Sequence, residues 1–328
     1  MVMAGLRFNQ VQPGLEPKEM ASRYQATVDM AQYAEEHGFS MIGLEEHHGA
    51  ENGWSPSPLI VAGLIFGRCS RLNVALTALL VPLHDPIRLA EDIAVLDLAS
   101  GGRFSFVAGL GYRPSEYAMH GKSWGDRGKL MDEAVDAMLK AWTGEPFEYN
   151  GAMVQVTPRP LTQPHPTMMI GGSVKASARR AARLGLPLMS ASYIPELEAY
   201  YYEQCEKEGK PGYFVQSGGR KTEMLYVSED PDKAWAELGQ YFFHEASTYS
   251  GWQPPGQTSS VHSHATNVKE LREEGIYVVK TPEECIAQGK EMGDSGVFFL
   301  HPLVGGMPID KGWESLHLFA EQVLPKIA

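Results

Sequence analysis

Short apolar segments of strand type alternate with longer segments of helical periodicity along the whole chain. Eight segments are typical of strands, and each is followed by a helical segment. The predicted strands are Leu6–Asn9, Ser40–Glu45, Leu72–Val81, Phe104–Gly109, Thr167–Ile170, Pro187–Ala191, Thr222–Val227 and Gly296–Leu300. Because eight strand–helix units suit a closed parallel barrel better than an open sheet, the pattern predicts an α/β fold, a (β/α)8 TIM barrel.

The helical segments have matching start and stop signals. Helices are predicted at 18–37, from Ser57-Pro58 onward, and at Ile87–Ala99, 127–142, 174–184, 195–208, 231–246, 282–292 and 313–323. Proline suits a first helical turn, and Gly38 suits a left-handed position after a helix end. The Asn150-Gly151 pair, which follows Tyr149, predicts a tight hairpin turn.

The length of 328 residues permits either two domains or one enlarged barrel. A barrel uses roughly 250 residues, so about 80 remain for insertions. We predict one domain over 1–328, with insertions at 110–125, 145–165 and 247–268. The last segment contains Trp252, Pro254-Pro255 and the His262/His264 pair; it is either an active-site lid or a surface excursion.

Composition excludes several classes of protein. The chain has 28 basic and 40 acidic residues, a net charge of −12, and no basic cluster, so nucleic acid is not an expected partner. Its longest apolar stretches, such as 74–83, are too short to span a membrane. The cysteines at 69, 205 and 285 have no metal-ligand spacing, and no signal peptide precedes them, which predicts a reducing cytoplasm.

The run Glu45-Glu46-His47-His48 directly follows the second predicted strand. In TIM barrels the chemistry lies at the C-terminal ends of the strands. One inward imidazole with a hydrogen-bonded partner, for which Glu45 or Glu46 is the candidate, makes a proton donor or acceptor near neutral pH. The alternatives are a structural histidine and a metal ligand, although adjacent strand residues point to opposite sides.

A second candidate site is the turn Gly171-Gly172-Ser173 before the helix that contains Val174 and Ser177. Glycine lets the backbone approach a ligand closely, and free amides at a helix start favour an anion. The turn therefore predicts a phosphate site, or alternatively an ordinary strand–helix connection. By contrast, Gly109-Leu110-Gly111 lacks the third glycine of a dinucleotide fingerprint, and no Walker motif or nucleophile elbow is present.

Several separated motifs together resemble the bacterial luciferase-like flavin monooxygenase family. They are the stretch 82–92 (PLHDPIRLAED), the stretch 96–104 (LDLASGGRF), the Glu-His-His run, Gly-Tyr-x-x-x-Glu-Tyr at 111–117 and Thr162-Gln163-Pro164. The resemblance covers nearly the whole chain. It implies a barrel that holds reduced flavin mononucleotide (FMN), or the deazaflavin coenzyme F420, at the C-terminal mouth.

The resemblance also implies roles for particular residues. His47 matches the active-site histidine of the family. Thr77-Ala78 matches a non-prolyl cis peptide under the flavin ring. The implied cofactor-binding set is Thr77, Ala78, Arg127, Gly171, Gly172, Ser173, Val174 and Ser177, with Arg127 as a phosphate-pairing arginine and no metal ligand. A flavin reductase is the implied protein partner, and a homodimer is the implied assembly. The apolar helices near 56–67 and 87–99 are either core against the barrel or a dimer face.

Two departures limit the resemblance. Luciferases carry a reactive cysteine and then a phosphate-binding arginine where this chain has Gly109 and Leu110, so light emission is not expected. The segment 193–268 matches the family poorly, and the substrate pocket does not transfer.

The expected function is a two-component monooxygenase that uses reduced FMN and oxygen on a small organic substrate. An apolar mouth with Leu44, Leu79 and Phe106 nearby would keep water from the reduced flavin. The alternatives are an F420-dependent dehydrogenase or reductase, a non-catalytic flavin-binding barrel, and a metal-dependent amidohydrolase-like barrel.

Overall fold

Parallel strands form the centre of the molecule. The computed structural model describes residues 2–216, 223–253, 259 and 261–327. The strands in this part of the chain are β1 (Met3–Phe8), β2 (Met41–Leu44), β3 (Asn73–Leu79), β4 (Phe104–Ala108), β5 (Phe147–Tyr149), β6 (Ala152–Val154), β7 (Thr167–Gly171), β8 (Leu188–Ser190), β9 (Phe214–Gln216), β10 (Met224–Val227), β11 (Tyr277–Lys280) and β12 (Val297–Leu300). Thr222, where one strand was predicted to begin, lies outside the described residues.

All eight predicted strands are present and share one sheet. The order is β11-β10-β12-β1-β2-β3-β4-β7-β8-β9, with every neighbouring pair parallel. The eight predicted strands therefore follow one another in the cyclic order of a (β/α)8 barrel, with β1 between the last strand and the second. The predicted TIM-barrel class is confirmed.

The helices alternate with these strands. They are α1 (Pro17–Glu36), α2 (Pro58–Phe66), α3 (Pro86–Ser100), α4 (Pro114–Met119), α5 (Arg127–Ala141), α6 (Lys175–Leu184), α7 (Pro195–Glu208), α8 (Pro231–Trp252), α9 (Val268–Glu274), α10 (Pro282–Met292) and α11 (Ile309–Leu318). Gly38 has φ of 89°, as its position after α1 predicts. In the described part of the chain, no helix combines the length and the apolar character needed to cross a membrane.

Two features of the sheet were not predicted. β9 and β11 pair with β8 and β10 and lie at the two ends of the sheet. The hairpin is confirmed: β5 and β6 are antiparallel, and Asn150 and Gly151 between them have φ of 50° and 78°.

The main hydrophobic core joins the strands to the surrounding helices. Leu44, Leu79 and Phe106, which were expected near an apolar mouth, belong to this core and are at most 2% exposed. Their burial does not test whether they border the mouth, so that expectation stays a prediction. Side chains alternate along a strand. Residues next to core positions, such as Arg7 and Asn9 beside Phe8, point the opposite way, into the barrel.

Candidate active site

His47 lies just beyond the C-terminal end of β2 and is 6% exposed. Its Nδ1 is 3.0 Å from Oε1 of Glu116, and its Nε2 is 3.1 Å from the hydroxyl of Tyr112. A carboxylate accepts hydrogen bonds only, so Nδ1 carries the hydrogen in this pair. The neutral imidazole then has Nε2 as an acceptor for the Tyr112 hydroxyl.

The prediction that Glu45 or Glu46 is the partner of His47 was wrong: neither carboxylate hydrogen-bonds to its ring. Glu45 accepts from Arg7, and Glu46 accepts from Nε2 of His48 at 3.0 Å. Both carboxylates are therefore held by donors other than His47. The partner comes instead from α4, in the Gly-Tyr-x-x-x-Glu-Tyr motif.

Glu116 is a buried carboxylate with several donors on one oxygen. Besides His47, Oε1 accepts from the backbone amide of His48 at 3.0 Å and from Nη1 of Arg113 at 3.1 Å. Burial by itself raises the pKa of Glu116, but the hydrogen bonds and charges of His47, His48 and Arg113 outweigh it and lower the pKa overall. Glu116 is therefore held as the carboxylate that orients the imidazole.

Aromatic rings cover His47. The ring centroids of Trp54, Tyr112, Tyr249 and Trp252 lie 5.5, 5.4, 6.5 and 5.0 Å from that of the imidazole. Trp54 also packs against Trp252 at 5.1 Å, so the rings form one cluster. Burial, and then Tyr249, raises the pKa of Tyr112 well above its ordinary value, which keeps this hydroxyl protonated. We call Tyr249 and Trp252, both on α8, the aromatic cover.

Sequence reasoning missed Trp54, Tyr112, Glu116 and the aromatic cover as site residues. Tyr112 and Glu116 are part of a recognised motif, which was the available signal. Trp252 was noted only within the segment 247–268. That segment was predicted as a lid or surface excursion, yet α8 continues to Trp252. Pro254-Pro255 lies outside the described residues.

The Thr77–Ala78 peptide bond at the end of β3 is cis, as the family resemblance implied. Gly109, just after β4, lies against it: a Cβ atom added there would be 2.7 Å from the Cβ of Ala78. A cysteine at this position would therefore collide with Ala78. This contact gives a packing reason for the absence of the luciferase cysteine from this chain.

The predicted phosphate turn joins β7 to α6. Gly172 has φ of 148°, and a Cβ there would be 2.8 Å from Ser177. The hydroxyl of Ser177 donates to the carbonyl of Val174 at 2.6 Å, and the hydroxyls of Ser173 and Ser190 are 3.0 Å apart. The amide of Ser177 also donates to the Val174 carbonyl at 3.0 Å, so Ser177 is committed to local structure. The amides of Lys175 and Ala176, at the start of α6, have no acceptor among the described residues.

Arg127 begins α5, beside α6. Its guanidinium stacks on Trp124 with 4.1 Å to the ring centroid, and Nη1 donates to the Trp124 carbonyl. The two helices meet where Arg180 of α6 donates to the carbonyl of Gly128 at 3.1 Å. Among the described residues, Arg127 makes no hydrogen bond to Ser173, Val174 or Ser177, and it pairs with no carboxylate.

A metal centre has no support in this part of the molecule. Within 2–216, 223–253, 259 and 261–327, no three His, Cys, Asp or Glu side chains are arranged to hold an ion. The three cysteines are buried and free. The glutamate and histidine side chains at the barrel mouth are instead paired with one another and with arginines.

Related proteins identify the family. The family model described as luciferase-like monooxygenase matches residues 3–297. The alkanal monooxygenase alpha chain of the Kryptophanaron alfredi symbiont is 28% identical over 182 residues, which are 54% of this chain and 50% of that protein. The 4-hydroxyprotoasukamycin monooxygenase of Streptomyces nodosus subsp. asukaensis is 24% identical over 325 residues, 91% of this chain and 85% of that protein. The chain spans about half the length of the first curated relatives it matches.

Solved structures share the fold. Monooxygenase RslO1 from Streptomyces bottropensis has a TM-score of 0.74 at 24% identity, with 100% of both chains covered. The oxygenating constituent of 3,6-diketocamphane monooxygenase from Pseudomonas putida, in complex with FMN, has 0.71 at 18% identity, covering 100% of this chain and 99% of that one. An F420-dependent secondary alcohol dehydrogenase with an F420-acetone adduct has 0.66 at 17% identity, covering 100% and 99%. The match to the family model over nearly the whole chain, on a barrel with this buried histidine at its mouth, assigns the chain to the luciferase-like monooxygenase family.

Proposed function

We propose that this chain is the oxygenating component of a two-component monooxygenase, which takes reduced FMN from a separate flavin reductase and oxidises a small organic substrate. The observation that carries the proposal is the buried His47, held between the Glu116 carboxylate and the Tyr112 hydroxyl at the end of β2. An imidazole fixed in this way is suited to proton transfer. Membership in the family supports the reaction class.

The residues at the mouth fit a phosphate-bearing planar cofactor. Gly109 and Gly171 let the strand ends pack closely at the mouth, because a Cβ would lie 2.7 Å from Ala78 and 2.8 Å from Val107. The amides of Lys175 and Ala176 and the guanidinium of Arg127, which pairs with no carboxylate among the described residues, suit a phosphate. We propose that Gly171, Gly172, Ser173 and Val174 hold this end of the cofactor, that Ser177 fixes the turn they form, and that Thr77 and Ala78 meet the ring. Bound reduced flavin would supply the reducing equivalents for oxygen activation.

The protein's own contribution is orientation, proton transfer and exclusion of water. Glu116 keeps the hydrogen of His47 on Nδ1, so the lone pair of Nε2 can accept a proton and return it later. Trp54 and the aromatic cover pack around the imidazole, and a water-poor environment strengthens its electrostatic interactions. In this structure the Tyr112 hydroxyl donates a hydrogen bond to Nε2. A substrate oxygen would take the place of this hydroxyl.

The second candidate is an F420-dependent dehydrogenase or reductase, in which hydride replaces oxygen as the transferred species. The fold similarity to an F420-dependent secondary alcohol dehydrogenase supports this second candidate. Anaerobic turnover with reduced F420, together with no activity on reduced FMN and oxygen, would select this candidate.

Replacement of His47 by Ala tests the proposed chemistry. We expect the variant to bind FMN as the parent does in a fluorescence titration, and to lose turnover by roughly 10²–10⁴-fold, the usual effect of removing a general acid–base group. Replacement of the exposed His264 by Ala is the control. If the parent binds neither reduced nor oxidised flavin, the proposal is wrong; if His47→Ala keeps full turnover, His47 is not the acid–base group.

We also propose a homodimer. Helices α2 and α3 pack on each other and expose large apolar side chains in the single chain: Ile60 (66%), Leu64 (50%), Val95 (52%) and Leu98 (43%). Exposed apolar side chains concentrated on neighbouring helices are typical of a protein–protein contact. A second copy of this chain, related by a twofold axis, would cover them.

A further inference from the structure

A buried carboxylate on α8 gathers polar groups from four other parts of the fold. Glu245 is 1% exposed, and its Oε2 accepts from Nδ2 of Asn9 at 2.8 Å and from the amide of Gly305 at 3.1 Å. Its Oε1 accepts from the hydroxyl of Tyr277 at 3.2 Å and lies 3.2 Å from Nδ1 of His301. The groups around Glu245 come from the ends of β1 and β12, from β11 and from the loop after β12.

The charges around this carboxylate are also buried. Nη1 of Arg7, on β1, lies 3.6 Å from Oε1 of Glu245, and the same guanidinium bonds Glu45. Burial raises the pKa of Glu245, but His301, Arg7 and Asn9 outweigh it and bring the pKa to about 2. Glu245 is thus a charged group that its partners hold in position from several directions. A neutral or displaced side chain would leave these buried partners without their charged acceptor.

The same face of α8 that carries Glu245 also carries the aromatic cover. Tyr249 and Trp252 follow Glu245 by four and seven residues, a spacing that places all three on one side of a helix. Both rings pack on His47, at 6.5 and 5.0 Å between centroids. The helix therefore connects the carboxylate to the rings over the candidate catalytic nitrogen by a rigid stretch of about two turns.

Close packing limits how α8 can shift. Gly305 has φ of 57°, and a Cβ there would lie 1.9 Å from the carbonyl oxygen of Tyr241, one turn before Glu245. His244 adds a side-chain contact, with its Nε2 3.0 Å from Nδ2 of Asn52. The backbone of α8 is in direct contact with the loop that follows β12.

We propose that Glu245 is a positioning residue for the active site: by joining α8 to the ends of β1 and β12, it sets where Tyr249 and Trp252 lie over His47. It acts through the helix and does not touch His47. Its effect on turnover rests on the proposed function, whereas its effect on the surroundings of His47 does not.

The test is the variant Glu245→Gln, which keeps the size of the side chain and removes the charge. The first readout is the NMR signal of the His47 imidazole in ¹³C-histidine-labelled full-length protein without cofactor, assigned by its absence in His47→Asn. Rings at this distance shift that signal, so we expect it to move in Glu245→Gln. Glu237→Gln is the matched control, because Glu237 is on the same helix with a 49% exposed side chain; it should leave the signal in place.

The second readout is a double-mutant cycle with Trp252→Phe, which compares kcat and KM. We expect Glu245→Gln to lower kcat by up to about 100-fold, as small misplacements do, and to have a smaller effect in the Trp252→Phe background. An unchanged His47 signal, or equal effects in both backgrounds, would overturn the proposal. If Glu245→Gln does not fold, Tyr277→Phe is used instead, because it removes one hydrogen bond to Glu245. An unchanged His47 signal in Tyr277→Phe would then overturn the proposal. If the His47 signal moves in Glu245→Gln but the protein binds no flavin, the positioning role is supported. The proposed function is then wrong.

Discussion

At the scale of single residues, the site depends on pairs that are distant along the chain. His47 was identified because it follows a strand whose C-terminal end faces a barrel mouth. Its partner, Glu116, is 69 positions away and belongs to a helix in an insertion. The nearby acids that sequence suggested, Glu45 and Glu46, have other partners. Proximity in sequence is a poor guide here because Arg7 and His48 hold the two nearby carboxylates, and the partner of His47 comes from a segment that only the fold brings close.

Glu46 provides a prediction about pH. It joins β2 to the segment after β3 by accepting from the amide of Leu80 at 2.5 Å and from Nε2 of His84 at 2.7 Å. Burial raises its pKa, but His48, His84 and Leu80 together lower it from 4.5 to about 2. A depressed folded-state pKa gives stability that is present above the unfolded pKa and is lost as pH falls through the folded one.

We therefore expect the free energy of unfolding to fall between pH about 4.5 and about 2, with a contribution from Glu46 on the order of 3 kcal/mol at neutral pH. Glu46→Gln should remove this part of the pH dependence, measured by urea unfolding at several pH values. Glu51→Gln, at an exposed position, is the control. Identical pH profiles for Glu46→Gln and the parent would contradict the prediction.

At the scale of elements, the motifs that led to the family are largely structural. Asp85 caps α3 by accepting from the amides of Ile87 and Arg88. Asp97 accepts from the amide and hydroxyl of Thr162, and Arg103 donates to the carbonyl of Leu72. These residues connect α3, β4 and the segment before β7. In this chain the motif residues hold the scaffold together, and these contacts by themselves do not define a substrate.

Helix α8 illustrates a tertiary effect on an element. Sequence predicts a helix at 231–246 and a loop from 247, since Ser, Thr and Gly in 247–252 are weak helix formers. The helix continues to Trp252, and Tyr249 and Trp252 pack on Trp54 and His47. Burial of these rings outweighs the local preference.

The docking of α8 can be tested at Gly305. Gly305→Ala would require a side chain at φ of 57° with its Cβ 1.9 Å from the Tyr241 carbonyl oxygen, so we expect a loss of about 2–4 kcal/mol in the free energy of unfolding. Gly251→Ala, on α8 with no atom within 4 Å of the added Cβ, is the matched control. Calorimetry in which Gly305→Ala unfolds at the same temperature as Gly251→Ala would contradict the close packing.

At the scale of the whole molecule, the proposed dimer predicts a change in mass. Leu64→Glu places a charge in the exposed apolar face of α2 and α3, and burying an unpaired charge is costly. We expect sedimentation to give a dimer for the parent and a monomer for this variant. Met153→Glu, on the β5–β6 hairpin with Met153 68% exposed, should leave the dimer intact; a monomeric parent would rule the dimer out.

The sequence alone determines the barrel, its strand order and the position of His47, because the hydrophobic period along the chain is local and is repeated eight times. It also points to the Thr77–Ala78 cis bond through the family resemblance. The tertiary structure decides which groups surround His47. Glu116, Trp54, Tyr249 and Trp252 come from three separate segments, and only the closing of the barrel and the docking of α8 bring them within contact distance.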